Sequence, residues 1–212
     1  MTVRRILTWP DKNLLNHAKK VENFDNDLIS LCKDMADTMI ASFGVGLAAT
    51  QVNVQRSVCI LSKTVVSSLN PDPIMSSHVV LVNPKIQCVG KEKFKWPESC
   101  LSIPNFHEEV TRNTEILLEY QDLTGQHLKK VLYNIESGTV QHEVDHLDGK
   151  LFIHRLKGAR RSMVFRRLEK MEKKEEHLRN AQEDQTTTKV GHPKRNRTKN
   201  KKRFGTNKKK RK

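Results

Sequence analysis

Residues 135–147 place Ile135, Val140, Val144 and Leu147 at spacings that suit a helix with one buried face, and the same stretch carries His142-Glu143-Val144-Asp145-His146. On a helix this HExxH pattern sets two imidazoles one turn apart on one face, where both can reach a single metal ion. The glutamate between them then faces water polarised by the metal and can take its proton near neutral pH. Asp148-Gly149 supplies a stop signal for the helix, while Gly138 weakens it slightly.

A catalytic site of this type needs a third protein ligand and an open fourth position. Familiar metallopeptidases take the third ligand from further along the chain, as a His in HExxHxxGxxH or a Glu on a following helix. Here no suitably spaced His follows Gly149, and Glu169, Glu172, Glu175 and Glu176 fall in a segment that reads as an exposed basic helix. The third ligand has to come from upstream, which separates this chain from enzymes that cut internal peptide bonds.

How much of the chain can fold is bounded by charge. All 24 acidic residues lie at or before Asp184, while 13 of the 39 Lys and Arg lie between Lys189 and Lys212. Residues 1–184 are therefore nearly neutral at +2, and residues 185–212 carry +13. A chain of 212 residues can hold one domain with a proper core. The tail offers almost nothing apolar and is expected to be disordered when unbound. A cation of this density suits nucleic-acid phosphates or an anionic surface. No apolar run approaches the ~20 residues of a membrane span, and the N-terminal segment lacks the apolar core of a signal peptide. A soluble, cytoplasmic protein with no membrane partner is expected. Cys32, Cys59, Cys88 and Cys100 form no CxxC pair and read as thiols or metal ligands rather than a disulfide framework.

Leu28, Leu31, Cys32, Met35, Met39 and Ile40 recur every three or four residues and predict a helix from Asp25 to about Ser42, ending where Gly44 and Gly46 enter. Short buried strands are expected at 57–61 and 79–82, separated by a surface loop over 67–78. Further strands are expected at 85–95, 108–121 and 127–131, the last two joined by Asp122-Leu-Thr-Gly125. Residues 159–180 read as a solvated, basic helix.

Two upstream segments supply what the HExxH helix lacks. Gly44-Val-Gly-Leu-Ala-Ala-Thr-Gln51 resembles the GxGLAAxQ motif of peptide deformylases, and Glu98-Ser-Cys-Leu-Ser102 resembles their EGCLS motif. Gln141-His-Glu-Val-Asp-His-Leu-Asp-Gly149 is similar to the third family motif, and the three stand in the family's order. Ile6-Leu-Thr-Trp-Pro-Asp11 with Leu14 and Leu15 resembles its opening, so the likeness spans about residues 3–156.

The resemblance implies removal of the N-formyl group from the initiator methionine of nascent polypeptides, with release of formate. It implies an α+β fold in which antiparallel strands wrap around a central HExxH helix. The catalytic domain would occupy residues 1–156, a basic C-terminal helix 157–184 and the Lys/Arg-rich tail 185–212. Cys100 becomes the third metal ligand, as a thiolate, beside His142 and His146. Glu143 becomes the base, and then the acid that protonates the leaving amine. Gln51, through its side-chain amide, and Leu101, through its backbone N–H, match the donors to the oxyanion. Gly44, Val45 and Gly46 match an exposed strand edge that pairs with the substrate backbone, and the Ser99 carbonyl would contact substrate. The methionine side chain would enter an apolar pocket beside His142, with Val45 and Ile135 contributing. One divalent ion is implied, iron(II) by the family's habit, with zinc(II) or nickel(II) also tolerated.

The chain departs from the family pattern in three segments. Ser99 stands at the glycine of EGCLS, where a positive φ would be strained. Gly138 and Thr139 are smaller than the apolar residues usual before Gln-His-Glu, which predicts a wider or reshaped methionine pocket. Pro104-Asn-Phe-His107 lacks an arginine common there in bacterial enzymes.

In bacterial deformylases a C-terminal helix docks near the ribosomal exit tunnel, and residues 157–180 resemble it in position and basic character. Binding of ribosomal RNA through residues 157–212, sensitive to salt, is the interaction this implies. A different class of reading, a nucleic-acid-binding protein with a structural metal, requires a closed four-ligand site. The motifs provide three ligands and a poised glutamate.

Overall fold

The computed structural model describes residues 2–189, with side chains described except at 175, 176 and 178–189. From residue 190 onward the expected disordered tail lies outside the described residues.

Helix α1 (Asn26–Ala41) begins where Asp25 accepts the Leu28 N–H at 2.9 Å, satisfying one donor that no helical carbonyl can reach. Leu28, Leu31, Cys32, Met35 and Met39 are buried as their spacing requires, but Ile40 falls one step around the helix and is 53% exposed. The helix ends in a Schellman turn: the Phe43 N–H donates to the Ile40 carbonyl (3.1 Å) and the Gly44 N–H to the Met39 carbonyl (2.9 Å). Phe43 holds the left-handed position of that turn at φ 55°, a position that usually belongs to glycine.

Strands β1 (Gly46–Ala48), β2 (Val58–Ser62), β3 (His78–Cys100), β4 (Ile103–Gln121) and β5 (His127–Tyr133) form one antiparallel sheet in sequential order. The two strands expected at 79–82 and 85–95 are parts of one continuous strand. Register shifts between Val82 and Lys85 and between Val89 and Lys93 absorb the broken alternation.

Both faces of β2 are covered. Val58 and Ile60 join the core built with α1, whereas Cys59 and Leu61 join a second core that includes Val140 and Leu147. Coverage on two sides explains why Val58-Cys-Ile-Leu61 is a run of apolar residues instead of an alternation.

Helix α2 (Asn134–Leu147) carries the HExxH residues and lies against all five strands. From Ser137 onward it is buried almost all round, as a helix enclosed by a sheet must be. Its first turn protrudes, leaving Ile135 52% exposed. It ends in a second Schellman turn, with the Gly149 N–H on the His146 carbonyl (3.1 Å) and the Lys150 N–H on the Asp145 carbonyl (2.8 Å). Gly149 has φ 66°, and a Cβ there would sit 2.3 Å from the Leu15 carbonyl oxygen, so only glycine fits.

Helix α3 (Gly158–Lys189) runs past the boundary expected at 184. Helix residues through Glu169 belong to the same compact unit as the sheet, and the described residues from Lys170 belong to a second unit. The first turns are less solvated than their charge suggests. Val164 and Leu168, one turn apart, are buried, and Phe165 meets Trp9 edge to face at 5.8 Å. Among the described residues no helix is long and apolar enough to cross a membrane.

Candidate metal centre

Cys100 closes β3, and α2 presents His142 and His146 toward it. One ligand atom from each of the three lies within 4.8 Å of the others, and Cys100 Sγ is 3.2 Å from His146 Nε2. Thiolate and imidazole ligands held about 2.0–2.3 Å from a shared ion require separations of this order. Among the described residues this cluster has three members, and it opens on a cleft, unlike a closed structural site.

The ring of His142 is fixed from behind. Its Nδ1 lies 2.7 Å from Glu98 Oε2, which leaves Nε2 as the nitrogen available to a metal. Glu98 is gripped by Arg112 through both oxygens, at 2.6 and 2.8 Å. Arg112 in turn reaches Asp145 at 2.5 Å, and Asp145 also pairs with Arg155. Arg112, Glu98 and Asp145 are buried and only Arg155 reaches solvent. Buried charges persist where each has a partner, as here. Sequence reasoning gave no role to this network. Glu98 and Asp145 sit inside recognised motifs, but Arg112 joins them only through the pairing of β3 with β4.

The thiols differ in a way that singles out Cys100. Burial pushes Cys32 up to about 12 and Cys59 well above the ordinary thiol value. Burial acts on Cys100 in the same sense, but the neighbouring His146 and His142 outweigh it and hold the thiol well below that value, in the thiolate form a metal takes. His142 moves the opposite way: burial lowers it, and the hydrogen bonds to Cys100 and Glu98 raise it well above its ordinary value.

Among the described residues two buried polar atoms here have no hydrogen-bond partner, Glu143 Oε2 and His146 Nδ1. Burial raises the Glu143 carboxyl above its ordinary value, against the opposing pull of the two imidazoles. Glu143 packs so closely on β1 that a Cβ on Gly46 would come 2.3 Å from Oε1. Gln51 lies in a short 3-10 turn, where its Oε1 accepts the Ala48 N–H at 2.9 Å. Its Nε2 donates to Ser102 Oγ at 3.0 Å and lies 3.5 Å from Cys100 Sγ.

A cleft of about 380 Å³ opens over this group. Gly44, Val45 and Gly46 line one side and Ser99, Cys100 and Leu101 another, with Thr139, His142 and Glu143 between them. Trp96, Phe106 and Phe43 also line it, none of them foreseen. Ile135, expected beside the methionine pocket, is not among its lining residues and stands exposed on the first turn of α2. The space vacated by a small residue at 138 is taken from the other side: a Cβ on Gly138 would lie 3.0 Å from Phe94 Cζ and 3.7 Å from the Trp96 ring. Ser99 is absent from the non-glycine residues with positive φ, so its hydroxymethyl group brings no backbone strain.

A carboxylate oxygen with no protein partner, buried beside a candidate ion site, has water as its natural partner, and that is the chemistry of a metal-dependent hydrolase. The profile of the polypeptide deformylase family matches residues 3–162. The chain is 38% identical over 176 residues to the peptide deformylase of Campylobacter jejuni, a match covering 82% of this chain and 99% of that one. It is 35% identical over 175 residues to that of Pseudomonas aeruginosa, covering 82% and 99%. The crystal structure of peptide deformylase from Ehrlichia chaffeensis in complex with actinonin superposes with a TM-score of 0.70 at 32% identity, covering 81% of this chain and 99% of that one. A plant peptide deformylase gives 0.72 at 31% identity, covering 84% and 94%. The chain belongs to the polypeptide deformylase family.

Proposed function

We propose that the cleft hydrolyses the N-formyl amide of formyl-methionyl nascent polypeptides and releases formate. The observation that carries this is the unpartnered Glu143 oxygen beside Cys100, His142 and His146, facing a cleft with an edge strand on one side. Cys100, His142 and His146 would hold one divalent ion, natively iron(II), and zinc(II) or nickel(II) suit the same donors. When bound, the ion supplies Lewis-acid polarisation of water and of the formyl oxygen.

The chain's own groups divide the remaining work. Glu143, raised above its ordinary value by burial, takes a proton from water as that water adds to the formyl carbon. It returns the proton to the nitrogen as the carbon–nitrogen bond breaks. Gln51 Nε2 and the Leu101 N–H donate to the oxygen on which charge develops. The Gly44, Val45 and Gly46 edge and the Ser99 carbonyl align the extended substrate backbone. Val45, Thr139 and Trp96 bound the space for the methionine side chain beside His142.

The catalytic part corresponds to residues 1–156, and residues 157–212 associate with ribosomal RNA in the cytoplasm. Their basic character supports this, together with a substrate that emerges from the ribosome. Removal of 185–212 is expected to weaken ribosome pelleting at low salt while sparing small peptides.

The deciding experiment is formate release from formyl-Met-Ala-Ser by anaerobically purified protein loaded with iron(II) or nickel(II), beside Glu143→Gln. Release that depends on Glu143 supports the assignment. A loaded, folded protein that releases nothing overturns it.

A further inference from the structure

We propose that the hollow between the β3–β4 hairpin and the start of α3 is a binding site for a phosphate group, distinct from the cleft over the candidate metal centre. Its volume is about 390 Å³. Lys93, Arg112, Arg155, Lys157 and Arg160 line it, and Glu109 is the one acidic residue among the lining residues described. The hydrolytic reading makes no use of this hollow, so the inference stands apart from it.

The chain brings these cations together from two places. Pairing of β3 with β4 sets Lys93 opposite Asn113, which also lines the hollow. The chain returns after α2, where Gly158 at φ 55° turns it between Arg155 and Arg160 so that both side chains reach the same space.

What separates the hollow from an ordinary basic surface is that its guanidinium groups are held. Arg155 donates from Nε (2.9 Å) and Nη2 to Asp145, and Arg160 from Nε (2.9 Å) and Nη2 (2.5 Å) to Glu108. The side chains of Asp145 and Glu108 are 3% and 9% exposed, whereas those of Arg155 and Arg160 are 44% and 59% exposed. Each buried acid fixes one edge of its arginine and leaves Nη1 without a protein acceptor among the described residues. Lys93 and Lys157 have no ion-pair partner among the described residues, so two ammonium charges face Glu109 alone. Guanidinium forks fixed in advance lose little side-chain freedom on binding.

The shape of the donor set selects the ligand. A planar carboxylate spends both oxygens on one fork, while a tetrahedral oxyanion carries acceptors enough for two. The lining contains no aromatic ring, and Leu156 is its apolar member. A base or an acyl chain finds no platform there, which leaves the phosphate group itself as the chemistry recognised. Inorganic phosphate and the diester of an RNA backbone both present it.

The test titrates the isotope-labelled full chain with inorganic phosphate at ionic strength held constant with chloride, following amide and arginine Nε resonances. Saturable shifts at Lys93 and residues 155–160 are expected, with a dissociation constant of about 1 mM for two charge-assisted forks. The double variant Lys93→Gln/Lys157→Gln breaks no ion pair among the described residues, and its amide spectrum reports directly that the fold is kept. It should bind phosphate about tenfold more weakly. Oligouridylate separates the two sources of the group. If it moves the same resonances at lower concentration than inorganic phosphate, the hollow takes an RNA backbone; if it does not, the ligand is a free anion. Shifts that chloride alone reproduces, or that persist unchanged in the double variant, overturn the proposal.

Discussion

Glu98 Oε2 lies 2.7 Å from His142 Nδ1, and the same carboxylate holds buried Arg112 through both its oxygens. One side chain thus orients a candidate ligand and neutralises a guanidinium that has no access to water. Glu98→Gln keeps the shape but loses the charge, so His142 is held more weakly and Arg112 loses half its compensation. Metal affinity is expected to fall about 10- to 100-fold, read by competition with a chromophoric chelator. Affinity equal to that of the wild type would show that Glu98 does not act through the ligand.

Gly46 and Glu143 make a second close relationship, since a Cβ on Gly46 would come 2.3 Å from Glu143 Oε1. Gly46→Ala must therefore displace the carboxylate while leaving Cys100, His142 and His146 in place. The expected outcome is metal content near wild type with kcat reduced on the order of a hundredfold, because a displacement of about 1 Å at a reacting group is enough. If kcat were retained, the position of Glu143 would not matter to the reaction.

Much of this site was legible in the sequence because its candidate ligands come in contiguous motifs. His142 and His146 share a helix face by spacing alone, and Cys100 was recognisable only with its neighbours. Arg112 was not legible, since its contact with Glu98 depends on two bulges in β3 that set the register of β4. The long β3 was read as two strands for the same reason. Its alternation breaks at those bulges, and its middle is exposed. Ile135 and Ile40 fit an apolar period yet protrude, because periodicity gives a face but not where the packed partner ends. Val164 and Leu168 failed in the opposite sense, an apolar pair hidden among charges. Phe43 carries no pattern at all, since its conformation is set by hydrogen bonds from the turn it interrupts.

His154 offers a pH-dependent test away from the metal cluster. Its Nδ1 accepts the Leu151 N–H at 2.9 Å, and its ring lies against Trp9 and Phe165. Burial, then Arg161, lowers it below the ordinary histidine value of 6.5. The unfolded chain therefore takes up the proton first, so the contribution of neutral His154 to stability is present above 6.5 and is lost as pH falls below it. Thermal midpoints should drop from about pH 7 to about pH 5.5, and the drop should be smaller in His154→Asn, whose amide oxygen can still accept from Leu151. An equal drop in both proteins would assign the acid sensitivity elsewhere.

Gly138 lets two aromatic residues of β3 close on α2, with Phe94 Cζ 3.0 Å and the Trp96 ring 3.7 Å from the position a Cβ would take. A single methyl group is nearly tolerated there, because a ring edge can move by a few tenths of an ångström. A branched side chain is not. Gly138→Val is expected to cost about 1–3 kcal/mol by overpacking, measured by urea denaturation. It should also change the choice between formyl-methionyl and formyl-leucyl peptides, because Trp96 lines the cleft and would be pushed toward it. Adding Phe94→Leu removes the clashing atom, so the double variant should recover much of the lost stability, a coupling that only neighbours show. Additive losses in the double variant would mean that Phe94 does not fill the space Gly138 leaves.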